Sequence, residues 1–202
     1  MGLFSRSSAP AAAVDTFDPA TTAVDDISGN YVIDPTHTYI GFSARHAMVT
    51  TVRGNFEDFA GTAVIDTATP ANSSVNLTIK AASVTTGQEQ RDGHLKTPDF
   101  FDVANYEDIT FVSTKVERDG DEWDITGDLT INGNTQSVTI PFEQTGSAKD
   151  PYGNLRVGFE GETSIKRTDW GLNFNAALET GGVLVSDKVK LSFDVSAIRQ
   201  EA

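Results

Sequence analysis

Few side chains in this chain combine the right type and spacing for proton, metal or head-group chemistry, and the informative ones are its three histidines, His37, His46 and His94. A neutral imidazole donates and accepts hydrogen bonds, binds metals and titrates near physiological pH. His46 lies in phase with Ile40, Phe42 and Ala44, a spacing that predicts a strand residue facing the dry side. There it reads first as a satisfied core residue, then as a polar handle for a ligand head group, and last as a metal ligand. His37, in Asp34-Pro35-Thr36-His37, reads as a surface or capping residue. His94 stands in Arg91-Asp92-Gly93-His94-Leu95, where a helical turn would make Arg91 and His94 neighbours on one face. Such a cluster can fix a tautomer, bind a carbonyl or run acid–base chemistry, and it can equally pin an insertion to its scaffold. The pinning reading is the preferred one.

Other chemistries lack their residues. No HExxH, EF-hand loop or paired-His motif appears, so no metal site and no cofactor are expected. No GxSxG elbow, phosphate loop or strand-following GxGxxG is present. The absence of Cys excludes disulfides, thiolate nucleophiles and Cys-based zinc sites. Among 29 acidic residues nothing singles out a carboxylate pair for glycoside chemistry. Arg167-Thr168-Asp169-Trp170-Gly171 reads as a strand end in which Arg167 pairs with an acid and Trp170 covers a barrel mouth, with direct ligand contact as the alternative.

The net charge of −14 argues against a nucleic-acid partner and against adhesion to an anionic membrane, and it fits an acidic solvated surface. No apolar run approaches the ~18 residues of a membrane span. Met1-Gly2-Leu3-Phe4-Ser5-Arg6 offers no signal-peptide core, and Arg6 stands where a myristoylation pattern wants Ser or Thr. The expected compartment is the cytoplasm.

The elements that must position these side chains are strands. Residues 1–29, rich in Ala, Ser, Thr and Asp, read as a flexible tail. From Tyr31 a period-two pattern takes over: Ile40, Phe42, Ala44, His46 and Met48 share a face, as do Val75, Leu77, Ile79 and Ala81. Trp123, Ile125, Leu129 and Ile131 follow, then Val138, Ile140 and Phe142, then Leu155, Val157 and Phe159, then Val189, Leu191, Phe193 and Val195. One dry face and one wet face define an antiparallel sheet. Asn132-Gly133 and Asp119-Gly120 supply the positive φ angles of type I′ hairpins, and Asp150-Pro151-Tyr152-Gly153-Asn154 makes a longer connection. Gly158–Gly161 and Gly181-Gly182 read as turns or bulges. Many strands with few helices predict closure into a barrel, which removes exposed edges. Twelve Phe against two Trp and four Tyr suit an apolar interior. Residues 86–106 and 167–186 break the alternation and are candidates for a short helical insertion and a rim or lid.

These residues, in this order, resemble the YceI-like family, lipocalin-like proteins that bind polyisoprenoid lipids. The resemblance is carried by Tyr31-Val32-Ile33-Asp34-Pro35 with His37, by Gly41 to His46, and by Val52-Arg53-Gly54-Asn55-Phe56 with Gly61. It continues through Arg91 to Leu95, Asp99-Phe100-Phe101-Asp102, Ile109-Thr110-Phe111, Gly127 to Gly133 and Arg167 to Gly171, so that it spans about residues 31–197. It implies an all-β fold, an eight-stranded antiparallel lipocalin-like barrel with a short helical insertion, occupying residues 30–199 behind the tail. It further implies an elongated tunnel holding a polyprenyl quinone or similar lipid, and no established catalytic residue. Family members are typically periplasmic, so a periplasmic or secreted location stands as the alternative compartment.

On that basis the tail of the ligand is expected against Phe42, Ala44, Phe56, Leu77 and Ile79, then Phe101, Phe111, Leu129 and Ile140, and finally Trp170 and Phe193. His46, Arg91 and His94 are expected near its polar head or the rim. Small inward residues such as Ala44 and Ala81 would leave the space. Burying one CH₂ is worth ~0.8 kcal/mol, so an isoprene unit gains roughly 3 kcal/mol before ordering costs. The leading expectation is a carrier or sequestering protein for an isoprenoid quinone or related long-chain lipid. Two others compete: an enzyme on a lipid or quinone using His46 or His94 as general base, and a structural or stress-response protein with a filled core. A homodimer is left open.

Overall fold

The computed structural model describes residues 26–179 and 181–201. Most of the expected tail therefore lies outside the described residues. Its last part is packed: Ile27 is 1% exposed and its carbonyl accepts the Tyr31 hydroxyl at 2.6 Å.

Among the described residues the strands are β1 (Gly29–Ile33), β2 (Tyr39–His46), β3 (Thr50–Phe56), β4 (Phe59–Ile65), β5 (Ser74–Lys80) and β6 (Val84–Thr85), then β7 (Asp108–Asp119), β8 (Glu122–Ile131), β9 (Asn134–Lys149), β10 (Leu155–Lys166) and β11 (Val185–Arg199). One helix, α1 (Glu89–Leu95), lies between β6 and β7. β1, β4, β5, β7, β8, β9, β10 and β11 pair in that order, and β11 returns to β1, which closes the expected eight-stranded antiparallel barrel. β2, β3 and β6 continue the sheet from the other half of β11.

Pro35 explains the doubling. It has no N–H for a ladder and stands where β1 ends, so one long strand becomes two. Below the break β1 pairs β4, and above it β2 pairs β3. The alternation of β11 places Val189, Leu191, Phe193 and Val195 against the main core. A second cluster, Ile27, Tyr31, Ile65, Val116, Trp123, Val157 and Ala197, closes the lower end of the barrel.

Three local expectations are corrected. Met48 does not share the inner face of β2: the strand ends at His46, and Ala47 and Met48 take positive φ in the turn to β3, leaving Met48 58% exposed. Ala81 leaves β5 for a 3₁₀ turn and is buried in the packed core, away from open space. The β7–β8 turn is Gly120-Asp121, one residue later than expected, with positive φ at Gly120 alone, the pattern of a type II′ turn. Asn132-Gly133 has positive φ at both residues, as type I′ requires. Gly158 marks a register shift between β10 and β9, a bulge within the strand.

A polar network ties the β1–β2 break to the lower loops. Arg156 donates to Asp34 Oδ2 at 2.5 Å and to Asp150 Oδ2 at 3.0 Å, and His37 Nδ1 lies 2.7 Å from Asp34 Oδ2. Burial pushes the Asp34 carboxyl up, but Arg156, the Thr36 hydroxyl and His37 outweigh it and hold the group far below the carboxylate range. The Asn154 amide and Arg156 bring Asp150 down to about 2 despite burial. Both folded values are depressed, so the stability they contribute is present above the ordinary value of 3.8 and is lost as pH falls toward the folded values. The thermal midpoint is therefore expected to fall between pH 4 and about 2. Arg156→Met lowers the midpoint at neutral pH and flattens that acid limb; an unchanged acid limb in the variant would show the network to be idle.

Candidate ligand-binding site

Inside the barrel lies a cavity of about 580 Å³, apolar along most of its wall. A filled core is thereby overturned. Ile40, Phe42 and Ala44 of β2, Leu77 and Ile79 of β5, Phe111 of β7, Leu129 of β8, Ile140 of β9 and Phe193 of β11 all line it. Phe56 and Phe101 complete an aromatic wall, with ring centroids 5.7 Å from Phe42 to Phe56 and 5.6 Å from Phe56 to Phe101. Glycine opposite phenylalanine makes this wall smooth. A Cβ on Gly54 would lie 2.5 Å from the Phe42 ring, and one on Gly161 equally close to that of Phe142. Each ring thus lies flat across the neighbouring strand.

The cavity ends below at Trp123 and Phe159, whose rings meet edge to face at 6.0 Å. Its mouth is at the other end, framed by α1, by Arg45 and His46 at the end of β2, and by Leu184 and Val185. Nothing pairs β6 to β7, so the sheet is open there, and α1 with residues 96–106 fills the gap.

Arg91, Asp92 and His94 fall on α1 as the expected helical turn, and they act as pins. Asp92 accepts the Thr86 amide at 2.8 Å, the Thr86 hydroxyl, and the Thr85 hydroxyl at 3.3 Å. Burial pushes Asp92 up, but these donors outweigh it and hold the carboxyl below its usual range. Arg91 donates from Nε to Thr86 Oγ1 at 2.7 Å and from Nη2 to the Thr86 carbonyl at 3.0 Å. His94 Nε2 lies 2.7 Å from Asp99 Oδ2, and its ring stands edge-on to Phe100 and Phe174 at 5.2 and 4.7 Å. Arg91 and His94 line the cavity as well as pinning the helix.

His46 corrects the expectation of a satisfied core histidine. It is exposed at the rim, lines the mouth, and its ring has no hydrogen-bond partner among the described residues, because it is the last residue of β2, beyond the packed core. Arg167 is buried and, against the expectation, does not pair with an acid. Its Nε donates to the Ser186 carbonyl at 3.0 Å and its Nη1 to the Leu172 carbonyl, while Asp187 accepts from Thr168 instead. Burial pushes the Arg167 guanidinium down, opposed by the charge of Asp187. Trp170 is 3% exposed at the mouth end, with its indole N–H donating to the Leu129 carbonyl at 2.9 Å.

Sequence reasoning missed Leu172 and Phe174, which also line the cavity. Their signal was present: in Leu172-Asn173-Phe174-Asn175 the alternation persists inside a segment read as irregular. Gln88, Gln90 and Arg45 were missed too, because rim residues belong to no inward parity. Among the described residues no carboxylate lines the cavity; its charged residues are Arg45, Arg91 and Arg167. The described residues contain no group of three or more metal-binding side chains, and none of their helices is long and apolar enough to cross a membrane.

A closed eight-stranded barrel with an apolar interior, one polar mouth and a short helical insertion defines a lipocalin-like protein. Residues 31–197 match the model of the YceI-like domain, and the chain belongs to that family. It is 40% identical over 177 residues to the protein YceI of Escherichia coli O157:H7, covering 87% of this chain and 90% of that one. Its fold matches the crystal structure of the Campylobacter jejuni YCEI protein with a TM-score of 0.68 and 33% identity, over 78% of this chain and 90% of that one. A polyisoprenoid binding domain from Saccharophagus degradans shares the fold at a TM-score of 0.64 and 20% identity, over 84% and 98% of the two chains.

The pins on α1 make a specific expectation. Asp92→Ala leaves the Thr86 amide and two hydroxyls without their acceptor, a loss of about 1–3 kcal/mol. Amide exchange should speed up across residues 86–96 while the strands of the lower barrel keep their protection. Hydrogen exchange with mass spectrometry reads this directly; uniform acceleration through the whole barrel would contradict a local pin.

Proposed function

We propose that the chain binds a long-chain polyisoprenoid lipid inside the barrel and carries or sequesters it, an isoprenoid quinone being the head-group class that fits best. The observation that carries this reading is the apolar cavity of about 580 Å³ inside the barrel, with Arg45, His46, Arg91 and His94 gathered at its mouth. That volume lies within the range of small-molecule sites, roughly 300–1,000 Å³. A slender chain fills such a space through apolar contact alone, each CH₂ contributing ~0.8 kcal/mol. The smooth phenylalanine wall offers no hydrogen bonds that a tail would leave unmade. Among the described residues the cavity lining carries Arg45, Arg91 and Arg167 and no carboxylate, which suits the acceptor oxygens of a quinone. The description of the Saccharophagus degradans neighbour as polyisoprenoid-binding supports the same ligand class.

Nothing in the site favours acid–base chemistry over binding. His94 is committed to Asp99 between two phenylalanine rings, and His46 has no partner to orient it.

Organic extraction of the purified protein followed by mass spectrometry is expected to release a polyprenyl lipid, or the emptied protein should take one up. Ala44 lines the wall near the mouth and is only half-buried, so Ala44→Trp narrows the tunnel with little effect on the thermal midpoint. Bound or captured lipid should fall several-fold in that variant. A barrel that comes out empty and takes up no added quinone overturns the proposal.

A further inference from the structure

The mouth is flanked on one side by an apolar lip. Two chain reversals sit side by side there, the β2–β3 turn at residues 47–49 and the reversal before β11 around residues 175–185. They are joined by the Ala47 amide, which donates to the Leu184 carbonyl at 2.7 Å. Met48, Val49 and Val183 stand out from these tips 58%, 76% and 40% exposed. None of the three lines the cavity, but Arg45, His46, Leu184 and Val185 beside them do. The lip is therefore the outward continuation of the tunnel wall. The opposite side of the mouth, at the start of α1, presents Gln88, Glu89 and Gln90 to solvent.

We propose that this lip docks on the surface of a lipid bilayer, so that the mouth opens onto the phase from which an apolar chain is taken. The inference rests on the lipid-binding reading of the cavity for its purpose, and on two features of the lip for its chemistry.

The first is hydrogen-bond accounting. A loop enters an apolar phase cheaply only if its backbone groups are already paired. At the first tip, Val49 N–H donates to the His46 carbonyl at 3.0 Å, and Arg45 Nη2 donates to the carbonyls of Met48 and Val49 at 3.0 and 3.2 Å. At the second, Leu178 N–H donates to Gly182, Gly181 N–H to Leu178 and Leu184 N–H to Ala176, at 3.2, 2.9 and 2.9 Å. The second feature is charge. In a chain with 29 acidic residues, the two tips carry Glu179 as their one described acid, and the exposed Arg45 beside them donates to the carbonyls of Met48 and Val49. A bilayer asks only for apolar side chains, and Met48, Val49 and Val183 are what the tips present.

The attraction is apolar and the whole chain is acidic, so binding should be strongest to phosphatidylcholine vesicles and weaker when phosphatidylglycerol is added at low salt. Vesicle flotation with the full chain tests this. Met48→Asp combined with Val49→Asp should cut partitioning about tenfold or more. Tyr152→Asp, at a tip 89% exposed at the closed end of the barrel, should leave it unchanged. Uptake of a fluorescent polyprenol delivered from cyclodextrin should be intact in both variants, because neither touches the tunnel. Absence of vesicle binding by the native chain, or equal binding by the double variant, overturns the lip. So does a concentration-dependent dimer that the double variant dissolves without any vesicle binding, which would make the lip a contact between copies. Vesicle binding with no uptake of polyprenol would leave the lip standing and overturn the carrier reading instead.

Discussion

β11 is hydrogen-bonded along its two edges, to β10 on one side and on the other first to β2 and then to β1. That double commitment closes the sheet on itself, and the rest of the molecule follows from it. A closed ring has no free edge in its lower half, and its inward positions must be apolar because no water-exposed face remains there. Closure does not require the interior to be full. Eight strands enclose a space that side chains can just fill, and here glycines opposite phenylalanines lay the large rings along the wall. The cavity is thus a consequence of where bulk is placed within a ring whose circumference the strand pairing sets.

The upper half follows a different rule. Pro35 splits the first strand and a 3₁₀ turn at Ala81–Ser83 splits the third, so the ladder there ends at β6, a strand of two residues. The backbone groups and apolar side chains at that gap need cover, and α1 with its following segment supplies it. The cover is polar where it joins the barrel and apolar where it faces inward: Asp92 and Arg91 bind Thr85 and Thr86, while Leu95, Phe100 and Phe101 look into the tunnel. The same division governs charge. The outer surface carries the excess of acids, and the cavity wall carries guanidinium groups held mainly by carbonyls and hydroxyls.

Much of this was legible before any coordinates. Period-two alternation is a direct print of the pleat, and it located the inward faces of β5, β8, β9, β10 and β11 even with register shifts at Gly158 and at the start of β11. It failed where a strand gives way to a turn. Met48 keeps the parity of β2 in sequence, yet the strand stops at His46 and a left-handed turn takes over, so parity no longer says which way a side chain points. Ala81 fails for the same reason. Arg167 was misassigned for another: a buried guanidinium can be satisfied by carbonyl oxygens, and carbonyls have no residue-type signature. The cavity was not legible from composition at all. Volume is a difference between ring circumference and side-chain bulk, and only the register of the pairs, such as Phe42 beside Gly54, reveals it.

The two ends of the barrel differ in what it costs to open them. Below, Tyr31, Trp123 and Val157 are almost fully buried in one cluster with Ile27 and Ala197, and parting them would expose several large side chains at about 1.5–3 kcal/mol each. Above, the insertion is held by a handful of hydrogen bonds whose net contribution is nearer 1 kcal/mol apiece, supported by partly buried rings. Local opening draws on the cheapest contacts first, so the α1 segment yields before any strand of the ring does. The mouth is thus the end at which the barrel opens at least cost, and the large buried side chains of the lower cluster make the other end the costlier one.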